Sequence, residues 1–321
     1  MNPHRAKILV IRGGAIGDFI LTLPAIAALR QQFPEAHLEV LGYPHIIQLA
    51  VAGGLVDRVS SIEARALASF FARNGQLPED WIDYFSEFDL ILSYLYDPDE
   101  IFRTNIGRCS PAQFIACPHR ADERASIHAA QVYLKPLERL AIFDANPVPK
   151  LQMRPVTGGG PSGQSGGPAQ SRKSAHGLAL HPGSGSERKN WPEQRWAELV
   201  QKLIDLTPLN LLLVGGEAEG ERLQRLSAAL PPSRIRVAQS LPLAELARLL
   251  SGCAGFIGHD SGISHLAGAL DLPALILWGD TAEAIWKPPG QKVVVLRHAA
   301  GLDRLPVETV FEQVRRLWPS R

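Results

Sequence analysis

Short runs of consecutive aliphatic residues alternate with longer segments of mixed polarity along the first half of the chain. Strand-like runs fall at 7–11, 38–41, 57–61 and 90–93, and helix-like segments at 24–33, 62–73 and 127–143. Strands that are apolar at successive positions, rather than at every second one, are buried on both faces. Alternating with helices, they predict a parallel sheet covered by helices on both sides.

The pattern then breaks. Residues 157–177 (TGGGPSGQSGGPAQSRKSAHG) are rich in glycine, proline and serine, with almost nothing apolar. Such a stretch cannot bury enough surface to fold and reads as a linker. Beyond it the alternation restarts, with strands at 178–181, 210–214, 255–258 and 274–278 and helices at 192–206, 218–230 and 263–270. The helical periodicity of 307–317 leaves that tail free to pack on either half, the N-terminal one included. The expected organisation is an N-terminal Rossmann-like domain over 1–156, the linker 157–177 and a C-terminal Rossmann-like domain over 178–321. Ligands of open α/β sheets bind beyond the C-terminal ends of the strands, so a cleft between the halves is the expected site.

Composition narrows the class. A chain of 321 residues, 45% hydrophobic and 20% charged, is long enough for two globular domains. A net charge of +1 gives no sign of a nucleic-acid partner. Cys109, Cys117 and Cys253 are odd in number and widely spaced. They fit neither a disulfide framework nor a zinc site and suit a reducing cytoplasm. No apolar run approaches the ~20 residues a transmembrane segment needs. Arg12 and Asp18 interrupt what would otherwise resemble a signal core. A soluble, cytoplasmic protein is expected.

Chemistry concentrates where strands end. The first strand runs into Arg12-Gly13-Gly14-Ala15-Ile16-Gly17-Asp18 and then a helix-like run. A glycine-rich turn entering a helix puts backbone N–H groups at a cleft mouth. The glycines do not follow the Gly-x-Gly-x-x-Gly dinucleotide spacing, and the turn is read as presenting Asp18 as an acid. In the second half, the segment His181 to Pro192 (HPGSGSERKNWP) carries small residues after a strand and a mobile cation, Lys189. It reads as an anion site or as a solvated turn, and it is not a Walker loop. Gly215-Gly216-Glu217 places a carboxylate just past a strand, suited to ribose hydroxyls or to capping a helix. Gly258-His259-Asp260-Ser261-Gly262-Ile263-Ser264-His265 ends another strand and opens a helix whose free N–H groups suit a diphosphate. Ser261 lacks the Gly-x-Ser-x-Gly elbow of a hydrolase. His259 and His265 bracket the segment as site residues or as packed core histidines.

Taken in order, these segments resemble glycosyltransferase family nine, the bacterial lipopolysaccharide heptosyltransferases, over nearly the whole chain. The carriers are Ile16-Gly17-Asp18 with Leu23-Pro24-Ala25, His181-Pro182-Gly183-Ser184 through Lys189-x-Trp191-Pro192, Gly215-Gly216-Glu217, and Asp260-Ser261-Gly262-x-Ser264-His265-Leu266-Ala267. The resemblance implies a GT-B fold, two Rossmann-like domains facing across a cleft, with the nucleotide-sugar donor on the second and the acceptor on the first. It implies an inverting, metal-independent transfer with no cofactor, of heptose from ADP-heptose, onto a lipopolysaccharide-core or related glycan acceptor. That glycan or glycolipid would be met at the cytoplasmic face of the inner membrane, with the protein cytoplasmic or peripheral.

On the same resemblance Asp18 and Lys189 are the catalytic residues, Asp18 as general base; Lys189, Ser184 and the backbone around Ser261 and Gly262 stabilise the diphosphate, and Gly185 is also donor-binding. Glu217 holds the ribose, Asp260 contacts the sugar or the pyrophosphate loop, and His265 supports that loop. Arg12, Gly13, Gly14 and Gly17 form the acceptor-side turn. Two features stand apart. Asp97-Pro98-Asp99 matches a metal-binding Asp-x-Asp, yet capping chemistry with Asp97 as N-cap and Pro98 at the first helical position explains the same residues. The segment 79–101 holds eight carboxylates and no Lys or Arg, so if it faces the acceptor, that acceptor is less anionic than the usual inner core, unless Arg108, Arg120 or Arg124 supplies positive charge. The alternatives are a non-catalytic nucleotide-sugar or glycan-binding relative, and a nicotinamide-dependent oxidoreductase disfavoured by the missing fingerprint.

Overall fold

The computed structural model describes residues 5–153, 176–228 and 230–319. Residues 157–175 of the expected linker lie outside the described residues.

The first half runs β1 (Lys7–Arg12), α1 (Ile16–Gln32), β2 (His37–Gly42), α2 (Pro44–Ala52), β3 (Arg58–Ser61), α3 (Glu79–Ser86), β4 (Leu90–Ser93), α4 (Ile101–Gly107), β5 (Gln113–Ala116) and α5 (Ala129–Leu134). Its strands form a five-stranded sheet in the order β3-β2-β1-β4-β5, parallel throughout. The second half runs β6 (His176–Leu180), α6 (Glu193–Leu206), β7 (Leu211–Gly215), α7 (Gly220–Ala228), β8 (Ile235–Gln239), α8 (Leu243–Ser251), β9 (Cys253–His259), α9 (Gly262–Ala269), β10 (Ala274–Leu277), α10 (Glu283–Trp286), β11 (Val293–Leu296) and α11 (Val307–Leu317). Its six strands are ordered β11-β10-β9-β6-β7-β8, again all parallel.

The central strands follow from their side chains. Ile8, Leu9, Val10 and Ile11 in β1 and Leu178, Ala179 and Leu180 in β6 are almost completely buried, as strands covered on both faces must be. One apolar cluster runs through both halves, joining Ile20 and Ile26 of α1 to Leu266 and Ala267 of α9 and to Leu246 of α8. The halves therefore pack on each other through α1 against α9 and α2 against α8. A backbone bond from the Leu151 N–H to the Ala269 carbonyl (2.8 Å) crosses the same seam.

Two expectations are corrected, and one point left open is decided. The first helix begins at Ile16 rather than at position 24, which puts Asp18 in its first turn and Pro24 in its interior. This helix is buried along much of its length, so burial on several sides holds it despite the proline. Residues 62–73 form a 3₁₀ segment, Arg65–Phe71, in place of a full α-helix. The tail packs on the second half: Val307, Val310, Phe311 and Val314 of α11 are buried against α6, and the Trp318 ring lies over Gly255.

Candidate active site

The strand order of each sheet reverses once, between β1 and β4 in the first and between β6 and β9 in the second. The C-terminal ends of those four strands line a single cleft of about 1060 Å³ between the halves. Open α/β sheets bind ligands at such reversal points.

On the first wall, Gly14 has φ +98°, in the left-handed region where glycine carries no steric penalty. A Cβ at that position would also lie 3.1 Å from Asp18 Oδ2. Asp18 is the third residue of α1, and its Oδ2 accepts a hydrogen bond from the Ala15 N–H at 3.3 Å. Arg12 turns beneath it and is only 3% exposed. Its Nη1 donates to the carbonyls of His119 (2.8 Å) and Tyr94 (3.3 Å), and its Nη2 lies 3.6 Å from Asp18 Oδ1. The guanidinium stands 4.6 Å from the centre of the Tyr133 ring. The Tyr133 hydroxyl lies 3.5 Å from the same Asp18 Oδ1.

The second wall is built on an ion pair. Lys189, at the end of the 3₁₀ turn Glu187–Lys189, donates from Nζ to Asp260 Oδ2 at 2.7 Å. Thr281 Oγ1 donates to the same oxygen at 2.7 Å. Ser261 caps α9 by accepting from the Ser264 N–H at 3.4 Å, and its hydroxyl is 3.4 Å from His181 Nδ1. Ser184 Oγ sits 2.7 Å from Asn190 Oδ1 and 2.9 Å from the Ser186 carbonyl, tying the loop after β6 to itself.

Three buried histidines support this wall. His259 Nε2 accepts from the Trp191 backbone N–H (2.9 Å) and the Trp196 indole (3.3 Å), which assigns the ring proton to Nδ1, 3.3 Å from the Gly183 carbonyl. Burial pushes its pKa down to about 3. Burial alone pushes His181 to about 4. For His265, burial, opposed by the Asp260 carboxylate, gives about 4. All three are neutral near pH 7. His259 is thus a clamp on the loop 183–191, whereas His265 faces the cleft and abuts the backbone of Gly17.

The cleft brings together Arg12, Gly13, Gly14, Gly17, Asp18, Ser184, Lys189, Asp260, Ser261, Gly262 and His265, all singled out in the sequence. Gly185 and Glu217 do not line it. Gly185, at φ +62°, turns into open space, and Glu217 is exposed on the loop after β7. The carboxylate that turns inward there is Glu219, which accepts from the Gly216 N–H at 2.9 Å and fills the space over Gly183.

The acids of 79–101 also stay off the lining. Asp97 accepts from the N–H groups of Phe102 (3.1 Å) and Arg103 (2.9 Å), so it caps α4 from further upstream than an N-cap position. Pro98 accordingly precedes the helix and is not its first residue. Asp99 lies 3.7 Å from Arg73. Of the arginines weighed against those acids, Arg120 reaches the cleft, while Arg108 is spent on the Gly75 carbonyl and Asn105. Tyr133, Tyr94, Thr281 and Trp286 were not legible as site residues. Thr281 alone had a local signal, lying in the polar run directly after a strand.

Comparison with known proteins fits this geometry. The family model for glycosyltransferase family 9 (heptosyltransferase) matches residues 158–310. Lipopolysaccharide heptosyltransferase 1 of Pseudomonas aeruginosa is 40% identical over 93 residues, 29% of this chain and 26% of that protein. The matched stretch therefore spans about a quarter of that relative's length. A family 9 glycosyltransferase structure from Veillonella parvula superposes with a TM-score of 0.74 at 18% identity, covering 99% of this chain and 98% of the other. The E. coli heptosyltransferase WaaC with ADP gives 0.70 at 19%, covering 97% and 100%. The shared fold is GT-B, two parallel α/β domains across a cleft. Residues 158–310, just under half of the chain, are thus similar to glycosyltransferase family 9, and the fold as a whole is shared with the family 9 structures.

Proposed function

We propose that this protein transfers a sugar, heptose from ADP-heptose, to a hydroxyl of a lipopolysaccharide-core or related glycan. One observation carries the reading: a half-exposed carboxylate, Asp18, faces a cation, Lys189, and the open start of α9 across a single cleft. The related structure with ADP supports the choice of nucleotide.

In the proposed reaction the acceptor oxygen attacks the anomeric carbon while Asp18 takes the hydroxyl proton. The new carbon–oxygen bond forms as the bond from the anomeric carbon to the diphosphate breaks. The electron pair leaves with ADP, and the single displacement inverts the anomeric configuration. Lys189 and the N–H groups at Ser261 and Gly262 stabilise charge on the departing diphosphate. Asp260 holds Lys189 in place, and Thr281 takes part of that carboxylate's hydrogen-bonding capacity. The neutral His265 packs the α9 start against the Asp18 turn without adding charge. The reaction is proposed to run without a divalent metal; Asp97 caps α4, Asp99 lies 3.7 Å from Arg73, and neither lines the cleft.

No helix among the described residues is long and apolar enough to cross a membrane. Contact with a glycolipid at the inner face of the membrane would therefore be peripheral in this reading. ADP release from ADP-heptose, measured with deacylated lipopolysaccharide core as acceptor, tests the proposal. Release dependent on both substrates supports it. Release from UDP- or GDP-sugars alone replaces the donor, and binding of ADP-heptose with no release makes the protein a binding relative.

A further inference from the structure

Beneath Asp18 lies a group that the reaction as described does not use. Arg12 is buried, yet its guanidinium points toward the base rather than outward toward an acceptor. It is fixed by the two carbonyls of His119 and Tyr94 and by the faces of two aromatic rings, with centres at 4.6 Å (Tyr133) and 5.7 Å (Tyr94). The Tyr94 hydroxyl donates to the Tyr133 carbonyl at 2.7 Å, which locks α5 under the same spot.

The consequence falls on one atom. Asp18 Oδ2 is held by the Ala15 N–H, while Oδ1 faces both Arg12 Nη2 and the Tyr133 hydroxyl, at 3.6 and 3.5 Å. A carboxylate held through one oxygen alone can swing about its side-chain torsions. A second set of donors on the other oxygen fixes its plane and hence the direction of its lone pairs. Burial, opposed by Arg12 and reinforced by the Asp18 charge, raises the Tyr133 pKa above that of a free phenol. The hydroxyl therefore keeps its proton at neutral pH and acts as a donor toward Asp18.

We propose that Tyr133 and Arg12 are positioning residues: together they aim Asp18 Oδ1, through the Tyr133 hydroxyl and the Arg12 fork, at the acceptor hydroxyl. The inference rests on Asp18 being the proton acceptor. A base misaimed by a small angle loses rate without losing substrate affinity.

The test uses the full chain, with ADP release from ADP-heptose and deacylated lipopolysaccharide core. Tyr133→Phe keeps the ring against Arg12 and removes only the hydroxyl. It should lower kcat about tenfold, as loss of one hydrogen bond to a charged group does. The acceptor KM, ADP affinity and melting temperature should stay at their wild-type values. Arg12→Lys keeps the charge and loses the fork, so it should also lower kcat. The double variant should lose less than the product of the two single losses, because both donors act on one oxygen. An unchanged kcat in Tyr133→Phe, or a fall matched by lost ADP affinity or melting temperature, overturns the proposal, as do multiplicative losses in the double variant. Wild-type protein that releases no ADP removes the transferase reading and this inference with it. Active wild type with an unaffected Tyr133→Phe removes only the inference.

Discussion

The two walls of the cleft handle charge in opposite ways. On the first, a cation is buried and a carboxylate is left half-exposed: Arg12 is 2% exposed in its side chain and Asp18 32%. On the second, the carboxylate is buried and the cation reaches out: Asp260 is 10% exposed and Lys189 30%. Each wall hides the counter-charge and presents its partner. In the proposed reading the first therefore offers a proton acceptor and the second an anion receptor, although both are built from one acid and one base.

The largest effect should come from removing the presented charge of the first wall. Asp18→Asn should cut kcat about a thousandfold, the scale of a lost general base, while ADP affinity measured by calorimetry stays within twofold to threefold or so. Near-normal turnover would break the comparison, since the exposed carboxylate would then have no chemical role. Lys189→Ala should weaken ADP binding about tenfold to a hundredfold and lower turnover with it, because the lost contact is to a charged group. Unchanged ADP affinity would move the anion receptor elsewhere.

A smaller effect distinguishes the walls by pH. His181, His259 and His265, all in the second half, have pKa values of about 4, 3 and 4, down from 6.5 in an unfolded chain. Below pH 6.5 the unfolded chain binds protons that the folded one refuses, so stability falls as pH drops through this window. Each histidine should cost about 1.4 kcal/mol at pH 5.5. Tryptophan emission is a suitable readout, because Trp81 alone lies in the first half. A melting temperature unchanged between pH 7 and 5 would show these rings to be more accessible than their packing implies. The smallest expected effect is none: activity should persist in EDTA, and its loss would return Asp97 and Asp99 to consideration as metal ligands.

The sequence revealed this asymmetry unevenly. Buried strands such as 90–93 were readable because Leu90, Ile91 and Leu92 are consecutive aliphatic residues, and the motif turns were readable because they directly follow such strands. β8 (Ile235–Gln239) was missed because Arg236 and Gln239 interrupt its apolar run on an exposed edge. α3 was hidden by its acids, although Phe85 is fully buried. The start of α1 was misplaced because a proline inside a helix reads as a beginning. Among site residues, Lys189 and Asp18 had local motifs, whereas Tyr133 lies 115 residues from the carboxylate it faces. No periodicity encodes a contact of that range. Glu217 and Glu219 are two residues apart, and which one turned inward depended on the space above Gly183.

The start of α1 meets the start of α9 at the foot of the cleft, where a Cβ on Gly262 would lie 2.6 Å from that of Ile16. Such a contact sets how closely the two halves can approach. Asp18 and Ser261 lie within two residues of it, so the spacing of the two walls is fixed beside the groups that would react. One methyl group added at Gly262 would therefore act as a wedge between the two helix starts and widen the foot of the cleft.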